Sequence, residues 1–172
     1  MNLAIRVKAT AFGFAVVIAG GCASSGANGV IEPCSLLTTN EAQAITGVDI
    51  ESARVTGTND GCSYATRRDG DIVSALLIEV HDENASQDFE TSRKIAESNA
   101  TVEDISDTDL GADNTTGFTF SSGTGSGTVV SAEGLQGDTR TRVLVQGSKA
   151  DTTAAIEALN RAMDRLTTPR ES

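Results

Sequence analysis

The run Ile72-Val73-Ser74-Ala75-Leu76-Leu77-Ile78-Glu79-Val80 constrains the fold most. Successive side chains of a strand point to opposite faces, and Leu76, Leu77 and Ile78 make both faces apolar. Such a strand needs cover on both sides, so it belongs in the interior of a sheet. Asp69-Gly70 immediately upstream is a strong hairpin signal. The strand it leads back to begins at Cys62-Ser63-Tyr64-Ala65-Thr66, with Cys62 and Tyr64 on one face.

The other elements arrange themselves around this pair. Thr38 with Glu41 three residues on is a capping box, and Gly47 is a left-handed stop, so a short helix runs over 39–46. Leu37, Ala42 and Ile45 share its inner side. Residues 50–55 read as a strand. Residues 84–98 read as a helix with Phe89, Ile95 and Ala96 inward and Glu90 to Lys94 as a favourable pair. Short strands are expected at 102–105 and from Gly117, with Ser121 to Gly127 as a hairpin loop. Residues 128–133 and 140–146 alternate well enough to pair around Gly134 to Asp138. Asp151 can cap a last helix in which Ala155, Ile156, Leu159, Ala162, Met163 and Leu166 repeat at helical spacing. Each half of the chain is a meander followed by a helix. The pattern predicts a single α+β domain: a twisted antiparallel sheet with helices mainly on one face.

The N-terminus is of another kind. Arg6 and Lys8 precede the apolar run from Ala9 to Gly21, which is well short of the roughly 20 residues a membrane span needs. This is the order of a secretory signal. The triplet Ala19-Gly20-Gly21 before Cys22 resembles the bacterial lipoprotein signal, and that resemblance implies a diacylglyceryl group on Cys22. Two acyl chains give a stable anchor where one does not. Residues 23–31 are Gly- and Ser-rich and form a flexible tether. The expected organisation is a signal peptide over 1–21, the lipidated cysteine and tether over 22–31, the globular domain over 32–167, and a polar tail over 168–172.

With Cys22 assigned to lipid, Cys34 and Cys62 remain as an even pair in an oxidising compartment, which favours a disulfide between them. Its expected stabilisation is roughly 3 to 5 kcal/mol. Two cysteines and the single histidine cannot by themselves fill a tetrahedral zinc site.

Pro33-Cys34-Ser35-Leu36-Leu37-Thr38, a helix ending in Gly47, Cys62-Ser63-Tyr64, and a closing Ala/Leu-rich helix together resemble a broad class of bacterial envelope lipoproteins of unknown function, best represented in actinobacteria. The resemblance implies an anchored α+β domain with a Cys34–Cys62 bridge. It brings no catalytic residues and no cofactor.

The chain has a formal net charge of −11 over 172 residues. Removing residues 1–21 takes away two cations and no acid, leaving −13. Such a surface disfavours nucleic acid, which needs Lys/Arg patches, and is repelled by anionic head groups, so membrane attachment must come from the lipid. His81, beside Asp82 and Glu83, is the one candidate general base; no Gly-x-Ser-x-Gly elbow accompanies it. Asp107, Asp109 and Asp113 invite a weak calcium reading, although the twelfth place of a loop counted from Asp107 is Phe118 and not Glu. Gly123 to Gly127 lacks the third glycine of a phosphate loop, which would fall on Thr128. The sequence therefore points to an extracytoplasmic, lipid-anchored, non-enzymatic module on the cell membrane or outer membrane that binds an unknown protein or a small apolar ligand. The alternatives are a carrier of a small apolar or lipid ligand and a hydrolase using His81.

Overall fold

A computed structural model describes residues 31–57, 60–110, 115–124, 127–146 and 150–167. The segment expected to be a signal peptide, Cys22, nearly all of the expected tether and the tail 168–172 lie outside these residues. A 3-10 turn (Pro33–Ser35) leads into α1 (Thr39–Thr46), then β1 (Ser52–Val55), β2 (Gly61–Arg68), β3 (Asp71–His81) and α2 (Ala85–Asn99). The second half holds β4 (Val102–Ile105), the single turn α3 (Asp107–Leu110), β5 (Thr115–Thr124), β6 (Gly127–Gln136), β7 (Thr139–Gln146) and α4 (Thr152–Thr167). The strands form one seven-stranded sheet in the order β1-β2-β3-β7-β6-β5-β4. Every pairing is antiparallel. The fold is thus a mixed α+β domain, with β3 in the interior as its sequence requires.

The two meanders meet where β3 pairs with β7. On one face Cys62, Tyr64, Leu76, Ile78, Val143 and Val145 pack against Leu36, Leu37, Ile45, Ala155, Leu159 and Met163. The 3-10 turn, α1 and α4 therefore cover this face. The other face carries a smaller cluster, Phe89, Ala96 and Phe118, with Val102, Phe120 and Leu135 against it. That cluster places α2 on the opposite side from α4. The halves are therefore not copies about a twofold axis normal to the sheet: α1, α3 (through Leu110) and α4 lie on one face and α2 on the other. Leu77, on the α2 side of β3, is only half-buried, so cover at the middle of that strand is complete on one face alone.

Local signals account for the helix ends. Glu41 N–H donates to Thr38 Oγ1 at 3.3 Å, and Thr38 N–H donates to Glu41 Oε2 at 2.7 Å. Gly47 closes α1 at φ 70°, a conformation costly for residues with a Cβ. Asp151 Oδ1 accepts from Ala154 N–H at 2.8 Å and caps α4.

Three local expectations are corrected. Gly134 is not in a turn but inside β6, opposite Thr141, and the β6–β7 turn is the two-residue Gly137-Asp138. A Cβ at Gly134 would sit 2.8 Å from Met163 Sδ, so the glycine serves the close approach of α4 to the sheet. Ser121 to Thr124 pair as strand down to Thr124 opposite Gly127 and are not loop. Ile95 is 59% exposed. It sits about 100° round the helix from Ala96, and the inward places beside Phe89 and Ala96 go to Ser92 and Arg93.

Candidate functional site

Pro33, Cys34, Leu36, Leu37, Thr38, Cys62 and Tyr64 converge on one knot. Cys34 and Cys62 form a disulfide with S–S 2.03 Å and Cα–Cα 4.9 Å. Cys62 lies within β2 and is fully buried, so the bridge fastens the 3-10 turn to the sheet. Two residues on, the buried Tyr64 hydroxyl donates to the Leu37 carbonyl at 2.7 Å. Burial pushes the Tyr64 phenol up to about 12. Beside it, Arg165 of α4 donates to the Leu36 carbonyl and to Glu41 Oε1, both at 2.7 Å. Arg161 reaches the same Glu41 oxygen at 3.1 Å. The Arg165 hydrogen bond is the main cause that holds the Glu41 carboxyl at about 2, partly opposed by burial and assisted by Thr38. This knot cross-links and hydrogen-bonds helix, sheet and entering chain to one another.

His81 ends β3, and its carboxylate partner is not the adjacent Asp82 or Glu83. Its Nδ1 lies 3.3 Å from Asp60 Oδ2, because the Asp60 carbonyl accepts from Val80 N–H and brings the two chain segments together. Thr56 Oγ1 donates to the other Asp60 oxygen at 3.4 Å, so the hydroxyl here sits on the carboxylate and not on the imidazole. An acyl-transfer triad needs the hydroxyl on the imidazole's free side.

The α2 face holds a group that sequence reading missed. One rung across five strands runs Glu79, Arg142, Glu133, Phe118, Asp104. Glu133 is fully buried. Its Oε2 accepts from Arg140 Nη2 at 2.7 Å and Nε at 3.0 Å, and its Oε1 accepts from Ser92 Oγ of α2 at 2.6 Å. Arg142 Nε lies 3.3 Å from Oε1 but is not aligned as a hydrogen bond, and Arg142 Nη1 meets Glu79 Oε2 at 3.5 Å. At the far end, Arg93 of α2 pairs with Asp104 at 2.7 Å and lies 5.8 Å above the Phe118 ring. Phe89 meets Phe118 edge-on at 5.1 Å. The signal available in the sequence was Glu133 and Arg142 standing symmetrically about Gly137-Asp138, which pairs opposite charges across a two-residue hairpin.

Two surface grooves flank α4. One, of about 530 Å³, is lined by Asp109, Thr153, Ile156, Glu157, Asn160, Arg161 and Asp164. The other, of about 340 Å³, lies at the β6–β7 turn against Met163, Leu166 and Thr167. Of the calcium candidates, Asp113 lies outside the described residues, and Asp109 accepts from Ser106 Oγ. Among the described residues no three His, Cys, Asp or Glu side chains converge as metal ligands. No described helix is long and apolar enough to cross a membrane. No protein-family model matches the chain, and no curated protein matches it.

Proposed function

We propose that this chain is an exported envelope protein, anchored by lipid on Cys22, whose folded domain acts by binding another protein and not by catalysis. The observation that carries the reading is the Cys34–Cys62 disulfide. Structural disulfides persist in oxidising compartments outside the cytosol, and this one lies just after the segment read as a tether. The resemblance to bacterial envelope lipoproteins supports the same address. Toward a binding role, the α4-side core is closed by large aliphatic side chains, and the described grooves lie open on the surface beside α4. A carrier of apolar ligands needs a cavity that buries most of the ligand. A hydrolase needs a nucleophile on His81, whose described partner is Asp60.

The test has two parts. Mass spectrometry of the native N-terminal peptide is expected to find a diacylglyceryl thioether on Cys22, and Cys22→Ser is expected to move the protein into the soluble exported fraction. Membrane retention of Cys22→Ser would overturn the anchor. Cross-linking in intact envelopes is then expected to yield one recurring protein; a recurring lipid with no protein would transfer the reading to a carrier.

A further inference from the structure

The sheet has two edges, and they differ. β4 ends the sheet with Val102-Glu103-Asp104-Ile105. Its acidic residues blunt it against pairing, and Asp104 is tied to Arg93. β1 ends the other side with Ser52-Ala53-Arg54-Val55, which carries no acid. Thr56 N–H donates to the Gly61 carbonyl at 2.9 Å. Hydrogen-bonded pairs alternate along an antiparallel ladder, so Ser52 and Arg54 bond inward to β2. Ala53 and Val55 then turn their N–H and C=O groups away from the sheet. Val55 is also one of the two most exposed large apolar side chains described, at 51%. Arg54 points to the opposite face, across from Ser63, and makes no ion pair among the described residues.

We infer that the outer edge of β1, unpaired among the described residues, is a docking site for an extended segment of a partner protein, which adds as an eighth strand and carries an acidic residue beside Arg54 and an apolar one beside Val55. This deepens the binding role proposed above and rests on it. Strand addition draws affinity from main-chain hydrogen bonds and specificity from alternate side chains. Here Ala53 and Val55 supply the main-chain groups. Val55 and Arg54 supply the alternation, one on each face. The two edges of the sheet are opposite in sign, so charge selects β1 for an acidic segment and excludes β4.

The probes are two capped hexapeptides, alternating Glu-Val and alternating Lys-Val, added to the full chain. Amide hydrogen exchange is read residue by residue. The Glu-Val peptide is expected to slow exchange at Ala53 and Val55 by roughly tenfold at millimolar concentration, and the Lys-Val peptide to leave them unchanged. Arg54→Glu is expected to reverse the preference. Val55→Pro, which removes one outward N–H on an edge that tolerates proline, is expected to abolish the effect with an unchanged melting temperature. Unchanged exchange with both peptides, or protection located elsewhere, overturns the site. Slowing that grows with protein concentration in the absence of peptide also overturns it, in favour of a second copy. A recurring cross-linked protein together with unprotected β1 amides would reject this edge and leave the binding role standing.

Discussion

Breaking the Cys34–Cys62 bridge tests the account of the knot most directly. The cross-linked residues are 28 apart in sequence. In the chain-entropy model a loop of that size removes about 3.6 kcal/mol of freedom from the unfolded chain at 25 °C. Reducing the bridge is therefore expected to lower stability by about that amount, a fall of roughly 10–15 °C in melting temperature. With a urea slope of about 1.8 kcal/mol/M the midpoint falls by about 2 M. The slope itself is expected to rise, because the uncrossed unfolded chain exposes more surface. The assay compares oxidised and reduced wild-type chain, which hold the same atoms in the core. The Cys34→Ala/Cys62→Ala double variant should lose somewhat more, since Cys62 is fully buried and its sulfur leaves a void. A reduced chain within about 1 kcal/mol of the oxidised one would refute the reasoning. It would mean that the reduced unfolded chain is no freer than the cross-linked one.

Acid should act through Glu41. Its carboxyl lies at about 2 in the folded chain against an ordinary 4.5, so its contribution is fully present above pH 4.5 and is lost as pH falls toward 2. The full depression would be worth about 3 kcal/mol, and screening of a carboxylate 21% exposed brings this to about 1–2 kcal/mol. Glu41→Gln is expected to flatten the stability profile between pH 4.5 and 2, measured by urea melts; an unchanged slope would remove Arg165 as the cause. Glu133→Ala should cost about 3–5 kcal/mol, because it leaves Arg140 buried without its counter-charge. Arg93→Ala should cost about 1 kcal/mol, since its partner Asp104 is largely exposed. Equal losses for the two would show that burial does not set the worth of these pairs.

Features decided within a few residues were legible in the sequence. The Thr38/Glu41 box, the Gly47 stop, the Asp151 cap and the Asp69-Gly70 hairpin each depend on neighbours in the chain. The cysteine pairing was legible because assigning Cys22 to lipid left two partners. What was not legible depends on register. Gly134 reads as a turn residue until β6 and β7 are aligned, and only then do Glu133 and Arg142 come opposite each other. Ser92 and Arg93 carry no inward signal of their own; they face the sheet because Glu133 and Asp104 lie beneath them. His81 likewise stands beside Asp82 in sequence but meets Asp60 through the pairing of β2 with β3.

The bridge between Cys34 and Cys62 also closes a covalent ring that contains all of α1 and β1. A pull applied at the N-terminal end of the domain enters the sheet at Cys62, in the interior strand β2, and bypasses the residues between. A pull at that end would therefore load β2 against β3 while α1 and β1 stay slack. A protease that cut once within the ring would leave both pieces attached. The ring that holds α1 and β1 is thus mechanically insulated from a load entering at the N-terminal end of the domain.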